Sequence, residues 1–278
     1  MGRGAAAAPP GSLAECPSLS PQSAPMLRIF SVAFWAFVAL TLPVFFVGAL
    51  AVFLATAAFD SRRVALHLYS CFWACFYLYA NPLWRTRVDG RQKLPWRGAA
   101  VLVANHLSLI DILVLFGLYR PFKWVSKAEV FRVPLLGWNM RLNDYVPITR
   151  GSRESVRRMM EHCRRHLARG SPILLFPEGT RSKTGELQSF KDGAFRLSFD
   201  TGAPVIPIAV RGTGDSLPKH GVVLRQPMDA RVQVLEPLDP RQFGSADALR
   251  DAAHEAIAAA LGSRPSGPLP CAKAQERG

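Results

Sequence analysis

The stretch AAVLVANHLSLIDILVLFGL, residues 99–118, decides the fold. Residues 99–104 are an unbroken apolar run of strand length, and residues 108–118 carry apolar side chains around a helix that stops before Pro121. Farther along, the alternation repeats. Residues 145–148, 173–176 and 205–210 read as strands. Residues 152–169 place Val156, Met159, Met160, Cys163 and Leu167 on one helical face, with Gly170 as C-terminal cap. Residues 190–201 form a helix closed by Gly202, and residues 246–261 an Ala-rich helix that packs on the domain. Strands separated by helices of this length imply an α/β fold, a mixed β-sheet flanked by helices. Such folds keep their chemistry in the loops at strand ends.

The loop between the first strand and helix reads Asn-His-Leu-Ser-Leu-Ile-Asp from Asn105 to Asp111. Residues five apart on an ideal helix diverge by about 140°, so His106 meets Asp111 only if the histidine precedes the helix. Its imidazole then lies over the first turn and gives Nδ1–H to the carboxylate. Nε2 is left to take a proton from a substrate hydroxyl, a triad arrangement whose nucleophile comes from the substrate. The chain has no Gly-x-Ser-x-Gly elbow. The competing reading is a histidine satisfied by local caps and an aspartate at a helix start.

A second string, Phe-Pro-Glu-Gly-Thr-Arg-Ser from Phe176 to Ser182, follows the strand at 173–176. Pro177 and Gly179 enforce a turn that presents Glu178 and Arg181 at the strand's carboxyl end. A guanidinium there grips a phosphate or carboxylate in bidentate fashion, or makes an ordinary loop salt bridge. Lys127 and Arg150 also follow apolar strands, so three cations at one sheet edge make an anion cradle.

Of 278 residues, 49% are apolar, enough for a real core, which excludes disorder throughout. The net charge of +14 favours phospholipid surfaces, nucleic acid or acidic substrates as partners. The N-terminal quarter decides among these. No residue from Ile29 to Phe59 is charged, a run well beyond the about 20 residues that cross a bilayer and too long for a signal-peptide core. Pro43 near its middle favours a kinked span or a re-entrant bend. After the break at 60–63, residues 64–84 are apolar and rich in Phe, Tyr and Trp: a second span, an interfacial helix, or a buried helix of the soluble domain. The expected organisation is a disordered leader at 1–25, a membrane-associated helical segment at 26–84, the α/β domain at 85–262 and a loose tail at 263–278. The basic domain then faces the cytoplasm.

Other signals carry less. Five scattered cysteines give neither a disulfide framework nor a zinc site, and no metal is expected. His162 and His166 are four apart on a helix, but Arg164 and Arg165 would repel a cation, so they read as a solvated basic face that touches anionic lipid or an acidic carrier protein. Gly212-Thr213-Gly214 lacks the third glycine of a dinucleotide loop, and no nucleic-acid motif is present.

With these strings in hand, residues 88–218 resemble the 1-acyl-sn-glycerol-3-phosphate acyltransferase family of phospholipid biosynthesis. Four blocks stand in family order: Asn105 to Asp111, Lys127 with Val146-Pro147-Ile148-Thr149-Arg150, Phe176 to Ser182, and Val205-Ile206-Pro207-Ile208. The resemblance implies an α/β domain with an N-terminal membrane-embedded helical hairpin. It implies His106 as base, Asp111 as its orienter, Glu178 as a hydrogen-bonding element of the acceptor site, and Lys127, Arg150 and Arg181 as phosphate ligands. Gly179, Thr180 and Pro207 complete the implied substrate-binding set. No cofactor is implied beyond acyl-CoA or acyl carrier protein as co-substrate; the acceptor is lysophosphatidic acid, and the enzyme works at an anionic membrane surface. Another lysolipid or glycerol-3-phosphate as acceptor, or a non-catalytic basic membrane protein, stands as the alternative.

Overall fold

The computed structural model describes residues 23–182, 184–214, 216, 223–224 and 227–262. The expected leader, apart from its last three residues, and the expected tail lie outside the described residues.

The chain opens with α1 (Ser23–Thr56) and α2 (Val64–Ala80), which pack against each other. Pro43 sits inside α1 without ending it. Close approach depends on Gly48: a Cβ there would fall 2.1 Å from the Tyr69 hydroxyl, which itself donates to the Phe45 carbonyl at 3.1 Å. Phe45 stacks on Trp73 at 5.6 Å between centroids, and Thr41 Oγ1 bonds the Tyr77 hydroxyl at 2.9 Å. α1 is long and apolar enough to cross a membrane, and Met26, Ile29, Val32, Leu40, Val44 and Leu54 project from it unburied.

Seven strands follow: β1 (Trp84–Asp89), β2 (Val101–Ala104), β3 (Lys123–Lys127), β4 (Val146–Ile148), β5 (Ile173–Leu175), β6 (Val205–Arg211) and β7 (Met228–Val234). They form one sheet in the order β1-β7-β6-β2-β5-β3-β4. β6, β2, β5, β3 and β4 are parallel, whereas β7 runs antiparallel to β6 and carries β1 parallel to itself. Central strands such as Val101-Leu102-Val103-Ala104 are buried on both faces, as an interior parallel strand must be.

Two cores flank the sheet. On one face Leu102, Ala104, Leu174 and Ile206 pack with α2, with α3 (Ile110–Phe116) and with α4 (Leu136–Leu142). On the other, Val101, Val103, Ile173 and Val205 pack with α5 (Arg153–Ala168), α6 (Gly193–Thr201) and α7 (Ala246–Gly262). The mixed, helix-flanked α/β sheet expected from the sequence is the observed fold.

Of the three readings of residues 64–84, the buried helix is the one observed, while two helix starts differ. Cys71, Trp73, Ala74, Tyr77 and Leu78 of α2 lie in the same cluster as the sheet, and Leu66 and His67 are buried as well, so residue 85 marks no core boundary. His67 is fixed there by the Tyr145 hydroxyl at 2.8 Å and the Arg120 carbonyl at 3.0 Å. α3 begins at Ile110 rather than 108, and the loop before it is held by Asp111, which accepts from the Leu107 and Ser108 N–H groups. α6 begins at Gly193 rather than 190, and the Lys191 N–H before it is bonded to the Pro177 carbonyl of the preceding turn.

Candidate active site

Parallel strands deliver their carboxyl ends to one edge, and β2 places His106 there. The histidine does precede its helix. Nδ1 lies 2.8 Å from Asp111 Oδ2, which also accepts from the Leu107 and Ser108 N–H groups at 2.6 and 2.9 Å. Asp111 is fully buried, and its Oδ1 accepts from the Thr213 hydroxyl. Asp111 is thus held by four donors, from β2's loop and from the end of β6. The imidazole is fixed as well, stacked on Phe176 with 4.1 Å between centroids.

The backbone of His106 is clamped from both sides. Its N–H donates to Glu178 Oε1 at 2.8 Å, and its carbonyl accepts from the Ser182 N–H at 2.8 Å. One residue earlier, the Asn105 amide pairs with β6, accepting from Val210 N at 2.8 Å and donating to Val210 O at 2.9 Å. With Nδ1 committed to Asp111, Nε2 is the ring nitrogen left for a substrate. The dyad can therefore accept a proton from a hydroxyl placed over it.

Glu178 faces inward. Only 4% of it is exposed, and its second oxygen accepts from Gln188 N at 3.3 Å, so both oxygens serve the backbone. The implied place of Glu178 in the acceptor site is replaced by one beneath the histidine loop. Burial raises its carboxyl from the usual 4.5 to about 7. Gly179, at φ +71°, is required by the turn: a Cβ there would lie 2.7 Å from Lys191 Nζ. Thr180 and Arg181 are half-buried on the same turn.

The other cations are arranged by strand order. β5 adjoins β2, β3 is the second strand away and β4 the third. At about 4.8 Å per strand, Lys127 stands about 10 Å and Arg150 about 14 Å along the edge from the histidine. Lys127 pairs with Glu129 at 3.1 Å, and Arg150 is exposed. Arg181 and Lys127 are thus the implied phosphate ligands nearest the dyad, and Arg150 is at the rim. Pro207 does not join the site. It lies buried within β6 opposite Val103, its carbonyl accepting from Leu235 N where the β7 ladder ends, a place that tolerates the missing N–H.

Sequence reasoning missed the roles of Thr213, Asn105 and Phe176. The glycines around Thr213 were set aside as failing the pattern of a dinucleotide loop, and its tie to Asp111 spans 102 positions. His162 and His166 are also not a solvated face. His166 is buried, both rings bond Asp144 in the turn before β4, and burial lowers His166 to about 4. Their ligand atoms and that of Asp144 lie within 4.8 Å of one another, a spacing open to a cation, yet all three are already satisfied by each other as a clamp between that turn and α5.

A buried imidazole paired with a buried carboxylate, beside a turn that carries a guanidinium, is the arrangement of enzymes that activate a substrate's own hydroxyl. The comparisons give that class a family. A family model described as Acyltransferase matches residues 85–211. A 1-acyl-sn-glycerol-3-phosphate acyltransferase of Chlamydomonas reinhardtii is 39% identical over 82% of this chain and 67% of its own length. A chloroplastic 1-acyl-sn-glycerol-3-phosphate acyltransferase of Arabidopsis thaliana is 35% identical over 72% of this chain and 55% of its own. The crystal structure of PlsC, the 1-acyl-sn-glycerophosphate acyltransferase of Thermotoga maritima, superposes with a TM-score of 0.69 at 25% identity, covering 87% of this chain and 99% of that one. The chain belongs to the 1-acyl-sn-glycerol-3-phosphate acyltransferase family. It spans between about half and two thirds of the length of these two curated relatives.

Proposed function

We propose that this chain transfers a fatty acyl group from a thioester, on coenzyme A or acyl carrier protein, to the sn-2 hydroxyl of lysophosphatidic acid, giving phosphatidic acid. The observation that carries the reading is the His106 Nδ1–Asp111 Oδ2 contact of 2.8 Å at the sheet's carboxyl edge. Nε2 takes the hydroxyl proton as the oxygen attacks the thioester carbonyl. The C–S bond then breaks, and the imidazolium returns the proton to the departing thiolate. Holding both substrates over the dyad supplies much of the barrier reduction.

An oxyanion donor is also needed. The N–H groups of His106, Leu107, Ser108, Gly179 and Ser182 are bonded within the protein. We assign the role to Thr180 N–H, which has no acceptor among the described residues. Arg181 holds the acceptor's phosphate, because phosphate and sn-2 oxygen are separated by only about 5 Å of glycerol, close to one strand spacing, and Lys127, one strand farther, reaches it through its flexible stem. α1 lies in the bilayer, the active edge faces the headgroups, and the basic domain is on the cytoplasmic side, where it meets anionic lipid.

Thiol release from acyl-CoA, measured with lysophosphatidic acid, glycerol-3-phosphate and other lysolipids, tests this. His106→Ala abolishes transfer and leaves membrane association intact. Unchanged turnover in that variant refutes the base; turnover only with another acceptor refutes the substrate and keeps the chemistry.

A further inference from the structure

On the sheet face opposite α2 and α3, a groove of about 780 Å³ runs along α5 to the carboxyl ends of β3 and β4. That volume lies in the range of small-molecule sites, about 300–1,000 Å³. Arg157, Arg158, Arg164 and Arg165 line it, with Glu161 as the acidic lining residue. Glu154 pairs with Arg157 and Arg158 at 3.1 and 3.4 Å, and Asp200 with Arg164 at 2.6 Å; these contacts orient three guanidinium groups and are solvent-exposed, hence readily exchanged for phosphate. Pro147 and Met159 give the groove apolar surface. Ser152, the N-cap of α5, directs the positive end of a 16-residue helix to the β4 end of the groove, about 18 Å from Arg164 at the other end.

We propose that this groove binds the 3′-phosphoadenosine diphosphate head of a coenzyme A thioester. The proposal rests on the acyl-transfer reading and names the donor that the reading leaves open. Clustered guanidinium groups match the head's phosphates, and the apolar patch matches the adenine face. Reach agrees. The groove begins beside β4, about 14 Å along the sheet edge from β2. A phosphopantetheine arm is equivalent to about five residues of extended chain, about 17 Å, and reaches the dyad from a diphosphate held at Arg157 and Arg158 near the β4 end, which leaves Arg164 and Arg165, about 10 Å farther along α5, for the 3′-phosphate.

The two sheet faces also divide the donor correctly. His106 stacks on Phe176, which packs against the core shared with α1 and α2, so an acyl tail entering past the ring meets apolar helices while the charged head stays in water beside α5. An acidic carrier protein would dock on a broad surface; a concave site of this volume fits a nucleotide.

The test uses the full chain in nanodiscs. Wild type and Arg158→Ala/Arg165→Ala are compared with acyl-CoA and acyl-3′-dephospho-CoA as donors, together with calorimetric titration of desulfo-CoA. We expect the double variant to raise the KM for acyl-CoA about tenfold or more, to erase the preference for the 3′-phosphate, and to weaken desulfo-CoA binding in parallel. Arg158→Lys/Arg165→Lys restores part of each, which a folding defect would not allow. An unchanged KM with the 3′-phosphate preference retained overturns the proposal. So does a loss confined to acyl carrier protein as donor, or one confined to binding of phosphatidylglycerol vesicles. If wild type transfers acyl groups from no donor, the acyl-transfer reading fails by itself, and the desulfo-CoA titration still decides the groove.

Discussion

Thr213→Val removes one hydroxyl from the molecule and keeps the side-chain shape. Asp111 Oδ2 retains its three donors, but Oδ1 is left in a fully buried site without the one it had. A hydrogen bond to a charged group contributes about 1.5–3 kcal/mol. Expressed entirely in the barrier, that lowers kcat about 10- to 150-fold. Expressed in folding, it lowers the melting temperature by about 3–12 °C for a domain of this size. The rate falls because the carboxylate, freed on one side, no longer fixes the Nδ1–H of His106, so the loss appears in kcat and little in the KM for lysophosphatidic acid. Thr213→Ser keeps the donor and recovers most of the rate. The assay is steady-state thiol release in nanodiscs, with thermal unfolding followed on the same samples. A Thr213→Val enzyme with kcat within twofold of wild type would show that Asp111 is held well enough without the β6 loop, and the reasoning fails.

Glu178→Gln abolishes a titration. Because the folded carboxyl ionises near 7 rather than 4.5, the native state holds the extra proton between those values, so wild-type stability falls as pH rises through that window, by at most about 3 kcal/mol. Urea unfolding from pH 5 to 8 should show this slope in wild type and a flatter one in the variant; equal slopes contradict it. Arg181→Ala should raise the KM for lysophosphatidic acid at least about tenfold, and Arg150→Ala less than about threefold, following their places one and three strands from the histidine. The reverse order would mean that the phosphate enters from the β4 side. Gly212→Ala puts a Cβ 2.1 Å from the Asp229 carbonyl oxygen at φ +75°, and should cost more than about 2 kcal/mol and displace Thr213; a variant as stable and active as wild type rules out that packing.

The central sheet was legible because its strands are buried on both faces and read as apolar runs. β1 and β7 were not: Trp-Arg-Thr-Arg-Val-Asp and Met-Asp-Ala-Arg-Val-Gln-Val alternate, half facing water, and arginines hide the strand. β3, Lys-Trp-Val-Ser-Lys, is likewise bracketed by lysines. At the site, His106 and Asp111 could be paired from local spacing alone, since the contact spans five residues. Glu178 had its place in the acceptor site only from the family resemblance; its use by the His106 backbone depends on β2 and β5 being neighbours, which no local pattern states. Thr213 is invisible for the same reason.

The burial of α2 in the sheet's own core has a practical result. A soluble fragment cut at residue 85 would uncover the side of α3 that carries Val114 and Leu115 and strand Tyr145 without His67, leaving an apolar trench in place of a finished interior. Trimming cannot release the catalytic body from lipid. Purification has to carry both leading helices along, with an amphiphile coating the outer flank of α1, and any assay of the isolated sheet measures a damaged protein rather than a smaller one.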